Sequence, residues 1–194
     1  IAMSEYGAGG NPEHHMEGPV GEQLKKTMGG AFHPAEWQSY VHEEDWRVLK
    51  DNPKIWGSFI WAMYDFIVPG WSEGGMCNLN TKGLVTHDRR IKKDAYFLYK
   101  ANWNPEPMVY IASRRFTERK QAVTDIRVYS NCSHTTLYVN GKKIETITPD
   151  KVRLCLFKGI TLKPGKNIIE VRGDSGKVKV KDRCEWTLDT VTQK

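Results

Sequence analysis

Hydrophobic periodicity switches once along the chain, at Asn102-Trp103-Asn104-Pro105-Glu106-Pro107, and that switch constrains the fold more than any other feature. Beyond it, VYIASRR, TDIRVYS, TTLYVNGKKI, VRLCLFKGITL, NIIEVRG and VKVKDRCEWTL are short segments with alternating apolar residues. Such a pattern belongs to strands with one face on a core and the other in water. Asn140-Gly141 asks for a two-residue hairpin turn, since both residues tolerate positive φ. Pro164-Gly165 marks another turn. Residues 104–194 are therefore expected to form an immunoglobulin-like β-sandwich of about seven antiparallel strands.

Ahead of the switch the spacing mixes helix and strand. PAEWQSYVHEEDWRVLKDNP starts with Pro34 in the first turn, stops at Asn52-Pro53, and sets Trp37, Tyr40, Val41 and Val48 roughly on one stripe, which predicts an amphipathic helix. KIWGSFIWAMYDF follows, with an almost unbroken apolar run from Ile55 to Tyr64, as expected of a parallel strand buried on both faces. A Gly-rich loop, VPGWSEGGMCNLNTKG, then leads into a second helical pattern, KKDAYFLYKAN. Strand, helix, strand, helix is the order of an α/β unit.

The net charge of +6 raises the question of nucleic acid. It is unevenly spread, with 11 Lys and Arg against 13 Asp and Glu in residues 1–101 and 18 against 10 in residues 102–194. In the second half, residues such as Lys142, Lys143, Lys179 and Lys181 alternate with apolar ones or flank turns, as on a solvated sheet face. No aromatic-plus-basic platform accompanies them, so no nucleic-acid partner is expected. No apolar run approaches the ~18 residues of a membrane span. The four cysteines, Cys77, Cys132, Cys155 and Cys184, lack zinc-site spacing. Buried free thiols suit them better, although a Cys132–Cys155 or Cys155–Cys184 bridge across the sandwich stays open.

Glu5 follows an apolar strand start and precedes Gly7, Gly9 and Gly10, which puts its carboxylate at the strand's carboxyl end, the active-site face if the strand belongs to a (β/α)8 barrel. Trp61 holds the equivalent place at the end of WGSFIW, where an indole offers a flat apolar face to a sugar ring. Consecutive strands would direct the two into one pocket. His14-His15 with Glu13 and Glu17 reads as a loop rather than a metal cluster, and Asp65 as a structural hydrogen-bonding residue rather than a second catalytic acid. Trp71 and Glu73 lie in the loop after the strand, where contact with a leaving group and plain surface exposure are both open. No cofactor and no metal are expected.

SEYGAGG, FHPAEWQ, WGSFIWAMYDF and NTKGLVTHDRRIKKDAYFLYKANW, in this order across residues 1 to about 103, resemble the last two strand–helix units of the barrel in glycoside hydrolase family 2, the β-galactosidases and β-glucuronidases. The later strands resemble the immunoglobulin-like domain that follows the barrel in many bacterial members. The resemblance implies residues 1–103 as the C-terminal portion of a TIM-barrel domain and residues 104–194 as the sandwich. Glu5 matches the nucleophile of the family's S/T-E-Y-G motif, and Trp61 the tryptophan lining the sugar subsite. Asn80 and Lys82 match an Asn-x-Lys pair that, in β-glucuronidases, resembles a device for recognising the sugar carboxylate; charge-assisted hydrogen bonds suit that task. Ala8 stands where a large galactosidase has a histidine, which leaves that hydroxyl contact in doubt.

A retaining mechanism needs a nucleophilic carboxylate and an acid ~5 Å away that first protonates the leaving oxygen and then activates water. In this family the acid/base sits on the fourth strand in an Asn-Glu pair, and the sequence has no such pair. The resemblance thus implies the C-terminal fragment of a retaining exo-β-glycosidase, inactive by itself and partnered by the rest of its own barrel upstream. Terminal β-galactosides are the leading substrates and β-glucuronides the alternative; a noncatalytic carbohydrate-binding or structural module is the reading from another class. The resemblance implies a periplasmic or secreted bacterial enzyme.

Overall fold

The computed structural model describes residues 1–18, 30–176 and 178–189, in two units, residues 1–98 and 99–194. In the first unit, strand β1 (Ala2–Tyr6) and strand β2 (Gly57–Ile60) run parallel. Ala2 lies opposite Gly57 and Tyr6 opposite Ile60, with a slip in register between Met3 and Tyr6. Helix α1 (Ala35–Leu49) lies between them in the chain, and the Tyr64–Val85 region adds β3 (Phe66–Ile67), antiparallel to β4 (Leu79–Asn80). Helix α2 (Asp94–Trp103) contains the boundary between the units. The strand, helix, strand, helix order is as read from the sequence, and among the described residues no helix is long and apolar enough to cross a membrane.

Two expectations for this unit are corrected. The run from Ile55 to Tyr64 is not a strand buried on both faces, since β2 has four residues and Phe59 within it is 57% exposed. The β1–β2 sheet is two-stranded among the described residues, so it supplies no further layer to cover that side chain. Nor is the inward face of α1 the apolar stripe: Val48 is exposed and Trp37, Tyr40 and Val41 are half-buried, while Ala35, Glu36, Gln38, Ser39, His42, Glu43 and Leu49 are buried. The helical spacing is right and the chemistry inverted. The reason is what the face meets, a glycine-rich backbone whose polar groups need partners. Gln38 Nε2 donates to the Ala8 carbonyl at 3.0 Å and to the Gly83 carbonyl at 3.1 Å.

The glycines after β1 make room for these side chains. A Cβ on Gly7 would stand 2.7 Å from the His42 ring, one on Gly9 2.5 Å from His33, and one on Gly10 2.7 Å from Gln38. The sequence GAGG is therefore a packing surface on which His33, Gln38 and His42 sit against bare backbone.

The second unit holds two sheets, one of order β10-β7-β5 and one of order β6-β12-β11-β8-β9. The strands are β5 (Val109–Ile111), β6 (Glu118–Arg119), β7 (Val123–Ser130), β8 (His134–Val139), β9 (Lys142–Ile147), β10 (Leu154–Thr161), β11 (Gly165–Asp174) and β12 (Lys179–Leu188). Pairing is antiparallel except for the two-residue β6 beside β12. One core joins the inward residues of both sheets, Ile126, Val128, Phe157 and Ile111 from one and Leu137, Ile169, Val171 and Trp186 from the other, the alternation expected of sheets stacked face to face. Asn140 and Gly141 take φ of 53° and 80° at the β8–β9 hairpin, and Gly165 takes 74° as β11 begins, so both sequence-marked turns are present. None of the four cysteines is joined in a disulfide, so neither bridge across the sandwich forms.

Candidate active site

Backbone hydrogen bonds gather the ends of β1, β2 and the β4 turn. The Trp61 N–H donates to the Tyr6 carbonyl at 2.8 Å, which sets the residue after β2 beside the residue that follows Glu5. The next N–H, of Ala62, donates to the Lys82 carbonyl at 3.1 Å, and the Leu84 N–H returns to the Ala62 carbonyl at 2.9 Å. The Lys82 N–H in turn donates to Asn80 Oδ1 at 2.9 Å. Glu5, Trp61, Lys82 and Asn80, expected from sequence to share a site, thus occupy neighbouring backbone positions on three chain segments.

Their side chains differ in setting. Glu5 is exposed at the slip in the β1–β2 register. Trp61 is 43% exposed, with its ring edge-on to Phe66 at 5.6 Å between centroids. Phe66 is the strand partner of Asn80, so the indole and the asparagine are linked a second time through β3 and β4. Asn80 is buried and closes a tight turn through its Oδ1, which fixes the backbone of Lys82. The half-buried Lys82 follows from that turn.

A buried polar layer supports this arrangement. Asp65 Oδ1 accepts from the Gly83 N–H at 2.8 Å and from Lys93 Nζ at 2.7 Å, and Lys93 Nζ also donates to the Thr81 carbonyl at 2.8 Å. Burial pushes the Asp65 carboxyl above the usual carboxylate range against the pull of Lys93 and the Gly83 N–H. These contacts suit the structural reading of Asp65. His33, 3.3 Å from Thr81 Oγ1, is held below the usual histidine range by burial, opposed by Glu73 and assisted by Lys82 and Lys93. His15 pairs with Glu36 at 3.1 Å and the His14 ring stacks on Phe32, so the two adjacent histidines diverge to different partners. Among the described residues no group of His, Cys, Asp and Glu is arranged to hold a metal.

Sequence reasoning missed Gln38, His33, Thr81 and Lys93. The one available signal was the polar spacing Gln38, Ser39, His42, Glu43 on α1, which reads equally well as a solvated face.

Chemically, the site offers a carboxylate at a strand end, an exposed indole beside it, and an ammonium on a loop tied to both. No protein-family model matches the chain. A β-glucuronidase from Bacteroides fragilis is 38% identical over 173 residues, 88% of this chain and 24% of that protein. The crystal structure of a provisionally assigned β-galactosidase from Bacteroides fragilis superposes with a TM-score of 0.88 at 38% identity, covering 96% of this chain and 27% of that one. An FMN-binding β-glucuronidase from Faecalibacterium prausnitzii superposes with a TM-score of 0.83 at 36% identity, over 96% of this chain and 27% of that one. The chain spans about a quarter of the length of the relatives it matches.

Proposed function

We propose that this chain, which belongs to the β-glucuronidase and β-galactosidase family of glycoside hydrolases, is the C-terminal part of a retaining exo-β-glycosidase, with Glu5 as the nucleophile. The observation that carries this is the run of backbone hydrogen bonds from Tyr6 through Trp61 and Ala62 to Lys82, which sets the residues bearing an indole and an ammonium beside the one that follows Glu5, at the carboxyl end of a parallel strand pair. Residues 1–103 would supply the last two β/α units of a TIM barrel and residues 104–194 an immunoglobulin-like sandwich. Exposed Phe59 in β2, with Trp56 and Met63 on either side of it, suits burial against the remainder of such a barrel.

In this reading the Glu5 carboxylate attacks the anomeric carbon. An acid from the rest of the barrel protonates the departing glycosidic oxygen, and the same group as a base then activates the water that releases the sugar. Trp61 would carry the sugar ring on its exposed face. Lys82, with its backbone fixed by Asn80, would meet the substituent at C5, and an ammonium there favours a carboxylate. A terminal β-glucuronide is therefore the substrate we favour. The similarity to a provisionally assigned β-galactosidase supports the second reading, a terminal β-galactoside.

In the full-length protein, Glu5→Gln is expected to abolish turnover with the fold intact, and a fluorinated mechanism-based sugar to label Glu5. Retained activity or labelling elsewhere overturns the assignment. Lys82→Ala separates the substrates: a selective loss on aryl β-glucuronide over aryl β-galactoside favours the glucuronide, and rates unchanged from the parent on both remove Lys82 from the site.

A further inference from the structure

Glu5 lies near the end of β1, ahead of one loop, and Lys82 lies on another, and one buried amide touches both loops. Gln38, 1% exposed on the inward face of α1, donates from Nε2 to the carbonyl of Ala8, three residues beyond Glu5, at 3.0 Å, and to that of Gly83, next to Lys82, at 3.1 Å. A glutamine amide nitrogen has two hydrogens, so both are used in these bonds. The helix brings Gln38 in closely because Gly10 has no side chain; a Cβ there would stand 2.7 Å from both Gln38 Cβ and Oε1. Gly10 N–H adds a direct tie between the loops, donating to the Thr81 carbonyl at 3.0 Å.

We propose that Gln38 is a positioning residue that sets the separation between the loop after Glu5 and the Lys82 loop, and so determines how strongly the enzyme distinguishes an acidic sugar from a neutral one. The inference rests on the reading of Glu5 as nucleophile and Lys82 as partner of the sugar carboxylate. A neutral sugar needs Glu5 placed against its anomeric carbon. An acidic sugar needs Glu5 and Lys82 placed together, on the anomeric carbon and the C5 carboxylate of one ring. Small misplacements of groups that must act together cost rate steeply. Loosening the link between the two loops therefore penalises the acidic substrate more.

Ser39, buried on the same helix, donates from Oγ to the Ala35 carbonyl one turn back, at 3.1 Å. It serves as a control for a general weakening of α1. Gln38→Glu keeps the shape and replaces the shared donor with oxygen, and Gln38→Met keeps the length without any donor.

The test uses the full-length enzyme and compares kcat/KM for aryl β-glucuronide with kcat/KM for aryl β-galactoside on one preparation of each variant. The ratio cancels the fraction of folded protein, so partial misfolding does not obscure it. Gln38→Glu and Gln38→Met are each expected to lower the glucuronide-to-galactoside ratio roughly tenfold, with Ser39→Ala leaving it at the parent value. If Lys82→Ala lowers the ratio while both Gln38 variants keep it within about twofold of the parent, the positioning role is overturned and the reading of Lys82 stands. If Lys82→Ala itself leaves the ratio unchanged, the carboxylate reading is overturned and the role of Gln38 in specificity with it.

Discussion

Lys93 Nζ stands 2.7 Å from Asp65 Oδ1, with the two side chains 1% and 2% exposed. Desolvating two charges is expensive, and the pair is tolerable because each partner has a further bond, Lys93 to the Thr81 carbonyl and Asp65 to the Gly83 N–H. The pair therefore fixes both ends of the segment in which Lys82 lies. Lys93→Met would leave Asp65 buried without its cation, and a loss of about 3–5 kcal/mol of stability is expected. Adding Asp65→Asn removes the stranded charge and keeps an acceptor for Gly83, so the double variant should recover part of that loss. Urea denaturation of the two variants checks both statements, and a Lys93→Met cost below about 1 kcal/mol, the scale of an exposed pair, would show that the pair does not hold the loop.

Gly83 has a steric reason to be glycine, and Gly141 a conformational one. A Cβ on Gly83 would stand 2.0 Å from the Asp65 nitrogen and 2.2 Å from the Tyr64 carbonyl carbon, backbone atoms that cannot rotate away. A Cβ on Gly141 would meet nothing within 4 Å, yet φ there is 80°. Gly141→Ala should cost about 1–2 kcal/mol, the ordinary penalty of the left-handed region. Gly83→Ala should cost more than the ~3 kcal/mol of typical overpacking, because backbone must shift. Thermal unfolding of the two variants gives the order, and equal shifts in Tm would refute the steric account.

What could be read from the sequence follows from which signals are local. The Asn140-Gly141 hairpin and the alternation along NIIEVRG depend on residues next to one another, and the structure has both. The sequence motifs also placed Glu5, Trp61, Asn80 and Lys82 on neighbouring segments. The inward face of α1 was not legible, because whether Gln38 and His42 meet water or bare glycine backbone depends on Gly7 and Gly10, about 30 residues away. The exposure of Phe59 was misread for a related reason: an apolar run states that a strand needs covering, and says nothing of which segment supplies the cover.

His42 gives the fold a pH dependence with a definite sign. Burial, with a contribution from the nearby Lys93 ammonium, pushes its imidazole down to about 3. The unfolded chain has its histidine near the ordinary value of about 6.5. Between these limits the unfolded state binds a proton that the folded state refuses, so stability is complete above about pH 6.5 and falls as the pH drops toward 3. From pH 7 to pH 5 the expected loss from His42 is about 2 kcal/mol. His42→Asn, which cannot titrate, should flatten the profile by that amount. Urea midpoints at the two pH values in both proteins test this, and parallel profiles would mean that the folded protein protonates His42.

Thiol reactivity should follow burial. Cys77 is exposed, Cys184 half-buried, and Cys132 and Cys155 are buried. Burial pushes the Cys155 thiol up to about 11, against a hydrogen bond with Thr135 that favours the thiolate. At pH 8 its reactive anion is then on the order of one part in a thousand, and attack also requires access. Iodoacetamide applied to the native protein should modify Cys77 first and Cys184 more slowly, and should reach Cys132 and Cys155 only after denaturant is added. Peptide mass spectrometry at timed intervals gives the order site by site. Modification of Cys155 at the rate of Cys77 under native conditions would show that the core around Phe157 and Val128 opens far more readily than two stacked sheets should allow.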